Sequence, residues 1–174
     1  AISYTFDKIS SGIQLIRKIL PWNPLHIFGL GHPIFFSLAI FLGADMFDSA
    51  SYVIFAKDNR ILTAFGTKRL EELDYLPISH PYWIDYEPRE ILSMEYNERV
   101  RILSEINLYE CVVEVNRIKQ AIREGRIWEY TYQRSLSNPY LLHAFKKSIN
   151  KKSFFDERNP ISKRRALLYQ GKNT

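Results

Sequence analysis

Cysteine is almost missing from this chain: Cys111 is the single one in 174 residues. One thiol closes no internal disulfide and cannot build a cysteine-rich metal site, and such scarcity fits a reducing, cytoplasmic setting. Long apolar runs are missing too. Ile34 to Leu42 spans nine residues, where a membrane helix needs about 20, so no membrane partner is expected. Ala1 to Ser11 mixes polar and apolar residues, so no secretory leader is expected either. No internal repeat and no low-complexity segment stands out. What remains is 46% hydrophobic and 14% aromatic residues, enough for one globular core or a core with a small appendage.

Charge is unevenly spread. Residues 141–174 hold nine basic residues (Lys146, Lys147, Lys151, Lys152, Arg158, Lys163, Arg164, Arg165, Lys172) against Asp156 and Glu157, so that stretch stands at +7 within a net +5 and leaves the rest at −2. Tyr140, Phe145, Phe154, Phe155 and Tyr169 lie in or beside it. Basic residues interleaved with aromatics suit a phosphate-backbone binder, and the alternative is a solvated, solubilising tail.

Periodicity predicts a helix over Ile9–Leu20 with Ile13, Ile16, Ile19 and Leu20 on one face, broken by the Pro-Trp-Asn-Pro of 21–24. Leu25–Gly31 reads as a buried strand ending in Gly-x-Gly, and Pro33 opens a helix that Gly43 stops. "DMFDSASYVIFA" (45–56) reads as a second buried strand, completing a β-α-β unit of a parallel sheet. A turn at 57–60, a short strand at 61–65 and a turn into a short helix over 66–77 follow. Residues 78–88 read as irregular. Glu98–Glu124 reads as a helix with Ile102, Ile106, Tyr109, Val113, Ile118 and Ile122 on its apolar face and Gly125 at its end. Further helices are predicted over Ile127–Leu136 and, behind the Asn138-Pro139 cap, to about Ile149. Two parallel strands make no stable sheet alone, so further strands must come from elsewhere.

Chemistry in α/β folds sits at the C-terminal ends of strands. Gly29-Leu30-Gly31 ends the first strand, Phe28 offers an aromatic face beside it, and Asp48 falls near the end of the second. Asp45 and Asp48 lie among small and apolar residues, where burial of an unpaired carboxylate costs several kcal/mol. For Asp45 a turn or cap role explains it.

"LHIFGLGHPIFFSLAIFLGADMFDSASYVIFAKDNRILTAFGT" (25–67) resembles the final barrel strands of the archaeosine-type tRNA-guanine transglycosylases. "NLYECVVEVNRIKQAIREGRIWEYTYQRSLSNPYLLHAF" and "FFDERNPISKRRALLYQG" resemble the helical segment that follows and the stretch that closes the catalytic region. The resemblance implies the C-terminal part of a (β/α)8 TIM barrel, its last strands, over residues 1–76. A mostly helical segment over 77–149 and a basic extension over 150–174 follow. It implies exchange of a D-loop guanine of tRNA for 7-cyano-7-deazaguanine, with the aspartate of the "FDSA" motif, Asp48, attacking the ribose anomeric carbon to give a covalent ribosyl-enzyme. Phe28 matches the base-stacking position, and Gly29 and Gly31 the backbone turn beside it. Lys57, Arg60 and Lys68, with Lys146, Lys147, Lys151, Lys152, Lys163, Arg164 and Arg165, are the expected RNA contacts.

Two departures from the family pattern shape the expectation. The family's zinc positions, three cysteines and a histidine, fall here on Ile78, His80, Trp83 and Ile106, so no metal or other cofactor is expected and apolar packing should fill the site. The earlier strands, with the base-reading half of the pocket, have no counterpart. The expected partners are therefore tRNA and a second polypeptide that completes the barrel, in a homo- or hetero-oligomer. A split subunit is the reading taken over an excised fragment. A non-catalytic tRNA-binding or scaffold subunit, or an archaeosine synthase-like paralogue, is the alternative.

Overall fold

The structure, a computed structural model, describes residues 2–149. The tail cations Lys151, Lys152, Lys163, Arg164 and Arg165 lie outside the described residues. In chain order the elements are α1 (Ile2–Ile19), β1 (His26–Ile27), α2 (Pro33–Phe41), β2 (Met46–Phe47), α3 (Ser51–Lys57), β3 (Arg60–Thr63), β4 (Gly66–Arg69), a 3-10 turn (Leu70–Glu72), α4 (Pro88–Ser93), α5 (Tyr96–Arg123), α6 (Ile127–Ser135) and α7 (Pro139–Ile149). β1 with β2, and β3 with β4, form two small sheets. The fold is mixed helix and strand.

The cap and breaker residues act where they stand. Asn138 Oδ1 accepts the N–H groups of Tyr140 at 2.9 Å and Leu141 at 3.3 Å, and Pro139 begins α7. Such a cap is worth about 1 kcal/mol. Asn59, in the left-handed region at φ 51°, turns the end of α3 into β3. Arg60 pairs with Arg69 and Thr63 with Gly66 across an antiparallel hairpin.

Three local readings are overturned. The second strand is two residues long and gives way to helix at Ser51. Ser49 Oγ accepts the Ser51 N–H at 2.9 Å, offering the backbone a helix start, and an apolar run such as Tyr52–Ala56 suits a packed helix as well as a strand. Gly66–Arg69 is the return strand of the hairpin rather than a turn into a helix, fixed by Thr63, whose Oγ1 donates to Gly66 O at 2.8 Å and accepts from Phe65 N–H at 3.1 Å. The buried face of α1 is Ser10, Ile13, Gln14 and Arg17, while Ile16, Ile19 and Leu20 are exposed. Helical 3-4 spacing holds, but the face is turned, and Gln14 and Arg17 on it reach the backbone carbonyls of Ser148 and Gly43.

The described residues divide into two compact units, 2–26, 37–46 and 117–149, and 27–36 and 47–116. In the first, α1 packs on α7 and α6 on α7. Leu38, Leu42, Leu141, Ala144 and Phe145 are buried, with Phe41 edge-on to Trp128 at 5.1 Å. Gln14 Nε2 donates to Ser148 O at 3.2 Å. In the second, Ala56, Ile61, Leu70, Leu76, Ile78, Ile91, Ile102, Leu103 and Ile106 form one cluster. Asn107, fully buried, crosses it with three bonds: Oδ1 accepts Leu62 N–H at 2.7 Å, and Nδ2 donates to Tyr52 O and Arg60 O at 3.0 Å each. The inward face of α5 therefore carries Asn107, Glu110 and Glu114 beside its isoleucines, whereas Tyr109 and Ile122, expected there, are exposed.

Candidate active site

β1 and β2 each run at once into a turn, and the two turns touch. Gly29 lies at φ +76°, where a side chain is strained, and its N–H donates to Asp48 Oδ1 at 3.2 Å. At Gly31 a Cβ would stand 2.0 Å from Ser49 Cβ, so the approach requires glycine. Ser49 Oγ also lies 2.6 Å from Ser51 Oγ. From α5, Cys111 Sγ donates to Gly31 O at 3.7 Å. Burial, helped by the charge of Glu110, pushes its thiol up to about 12.

His32 follows directly. Its Nδ1 accepts the Ile34 N–H at 3.2 Å and its Nε2 lies 2.7 Å from Thr67 Oγ1 on β4, with the Phe55 ring edge-on at 5.7 Å. Desolvation pushes its pKa down from 6.5 to about 4, so the ring is neutral at physiological pH. With Nδ1 accepting, the proton sits on Nε2 and Thr67 Oγ1 accepts it.

Asp48 itself is exposed, against the expectation of a costly buried carboxylate. β2 ends at Phe47, and Asp48 lies in the turn before α3 begins at Ser51. Phe28 is likewise 86% exposed. Among the expected phosphate contacts, Lys57 and Lys68 are exposed, and Arg60 is half-buried with Nε 2.6 Å from Asp58 Oδ2. In the first unit Lys146 is exposed, and Lys147 Nζ is paired with Asp7 Oδ2 at 2.8 Å.

Asp45 serves a different end. The Arg17 guanidinium, 5% exposed, donates to Gly43 O, Asn23 O and Asp45 Oδ2, and Leu25 N–H donates to the same carboxylate oxygen at 2.7 Å. An open cleft of about 470 Å³ lies over this clasp, lined in part by Trp22, Pro24 and Met46.

The four residues that the resemblance sets at metal positions, Ile78, His80, Trp83 and Ile106, do not fit a metal. Ile78 and Ile106 are core residues and Trp83 packs against the same cluster. His80 is buried with both ring nitrogens engaged, Nδ1 by Tyr82 N–H at 3.3 Å and Nε2 by Glu105 Oε1 at 3.2 Å. Arg17, His32, Thr67 and Asn107 were not singled out from sequence. Of these His32 alone carried a local signal, its place between Gly-x-Gly and a helix-opening proline.

The structure thus sets a carboxylate beyond a short strand, beside a glycine turn and an exposed phenyl ring. The chain belongs to the queuine tRNA-ribosyltransferase family, whose family model matches residues 4–139. It is 43% identical over 173 residues to the tRNA-guanine(15) transglycosylase of Methanococcus aeolicus, covering 97% of this chain and 26% of that protein. Against the proteins of the same description from Pyrococcus abyssi and Archaeoglobus fulgidus, identity is 46% over 167 residues and 40% over 169. Those matches cover 95% and 97% of this chain, and 29% and 35% of the relatives. The chain thus spans about a quarter to a third of the length of these curated relatives. No described helix is long and apolar enough to cross a membrane.

Proposed function

We propose that this chain is the later part of a tRNA-guanine transglycosylase catalytic barrel and supplies the carboxylate that attacks the sugar. Residues 1–76 bring its last strands, 77–149 the helical segment, and a second polypeptide or further sequence the base-reading half. An Asp48 carboxylate oxygen bonds to C1′ of the target ribose as the C1′–N9 bond breaks. Guanine leaves with that bond's electrons and takes up a proton. N9 of 7-cyano-7-deazaguanine, having lost its proton, then attacks C1′ and frees the carboxylate. The transition state is cation-like at C1′, which an anionic oxygen stabilises.

The observation that carries this reading is the Asp48–Gly29 contact at the end of β2, next to Phe28 as a stacking surface for a base. Lys57, Arg60, Lys68, Lys146, Lys147 and the tail cations would hold phosphates, at a cost in affinity as salt rises. No zinc is required, since Ile78, Trp83 and Ile106 pack where ligands would stand. Exposure of Asp48 favours a second reading, a non-catalytic tRNA-binding or scaffold subunit or an archaeosine synthase-like paralogue.

The test mixes the chain, the polypeptide carrying the rest of the barrel, tRNA and labelled base. Exchange in the wild type that vanishes in Asp48→Asn supports the enzyme. Equal tRNA binding with exchange in neither supports the scaffold.

A further inference from the structure

We propose that His32 is a positioning residue for the Asp48 carboxylate, acting through its Thr67 bond and the Gly29–Gly31 turn; this rests on Asp48 being the nucleophile.

The turn that holds Asp48 has two glycines in three residues, and glycine backbone is the least stiff available. Something outside it must fix the Gly29 N–H that donates to Asp48 Oδ1. The contacts around the turn do so from several elements. Ser49 fills the space where Gly31 lacks a Cβ, and Cys111 on α5 donates to Gly31 O. His32, next in the chain, is held at both ring nitrogens, by the first turn of α2 and by Thr67 on β4. The Phe55 ring on α3 closes its edge.

A single imidazole thereby ties the hairpin to the start of α2 and leaves the preceding glycines little room to swing. An apolar side chain of the same size would fill the space without burying two ring nitrogens. Only the neutral ring with its proton on Nε2 satisfies an acceptor at Thr67 and a donor at Ile34 together. A displacement of 1 Å at a reacting group costs about 100-fold in rate. A shifted Gly29 amide gives Asp48 that freedom.

The experiment compares Thr67→Val with Thr67→Ser. Valine keeps the volume and suits a strand, so the hairpin persists, but it removes the acceptor. Serine restores it. Glycine-selective 15N labelling leaves seven amide resonances, and Asp48→Asn identifies the Gly29 signal by moving it. In Thr67→Val the Gly29 resonance is expected to shift towards its Asp48→Asn position, and in Thr67→Ser to return to the wild-type one. With the rest of the barrel and tRNA present, kcat falls about 10- to 100-fold in Thr67→Val with KM for tRNA unchanged, and serine rescues it.

A wild-type Gly29 resonance in Thr67→Val overturns the positioning role, as does a rise in KM at constant kcat. The underlying reading fails separately. Full base exchange in Asp48→Asn removes the nucleophile and this role with it, whereas an inactive Asp48→Asn with an unmoved Gly29 signal in Thr67→Val removes this role alone.

Discussion

Asp45 and Asp48 stand three residues apart on either side of β2, and their surroundings are opposite. Asp45 is clasped by a buried guanidinium and a backbone N–H, contacts that hold two chain segments together. Asp48 is exposed and meets a glycine amide in a turn that other elements must keep in place. The lesson is that an acid in an apolar stretch of sequence says little about its use. The company of its oxygens separates a fastener from a reagent.

The largest effect that can break this comparison is on activity. Asp48→Asn is expected to lower base exchange by about 10⁴-fold or more, with a urea midpoint close to wild type, as for an exposed site. A comparable loss of exchange per folded molecule in Asp45→Ala would erase the distinction. Next comes stability: Arg17→Met takes the guanidinium donor from the carbonyls of Gly43 and Asn23 and from the Asp45 carboxylate, which keeps the Leu25 N–H, and should cost about 3 kcal/mol in urea unfolding. Asp45→Ala should cost about 1 kcal/mol, since that acid is half exposed.

Acid sharpens the contrast further. His32 has a folded pKa near 4 against 6.5 when unfolded, so between these values the unfolded chain binds more protons. Its neutral ring therefore contributes stability in full above pH 6.5, and that contribution drains away as pH falls towards 4, by on the order of 2 kcal/mol. Urea midpoints at pH 7.5, 5.5 and 4.5 measure it, and His32→Asn should flatten the profile. The smallest effect belongs to the surface: Lys68→Ala should weaken tRNA binding severalfold and reduce the slope of log affinity against log salt by about 1. An unchanged slope removes Lys68 from the RNA contacts.

Helices were the legible part of this chain. Asn138-Pro139, Pro33 and the spacing of Ile102, Ile106 and Ile118 announced their elements, because caps and 3.6-residue periodicity act locally. The strands were not legible at their true length: two residues leave no alternation to read, and Tyr52–Ala56 satisfies a buried strand and a packed helix equally. At the site, the glycines and Asp48 were visible as residue types. Their contact was not, because a missing Cβ at Gly31 matters only once Ser49 has come against it. Asn107 was invisible for the same reason, its three partners lying 45 to 55 residues away in the chain. The apolar character of Ile78, Trp83 and Ile106 was readable from residue type, and all three pack in or against one core cluster.

The thiol of Cys111 has a practical consequence. Being the sole cysteine, with its ionisation suppressed and its hydrogen directed at Gly31 O, it resists alkylating reagents while α5 lies against the turn. The thiol is half-buried, and a faster capture by iodoacetamide in a variant, readable by mass spectrometry without any engineered label, would report a loosened turn.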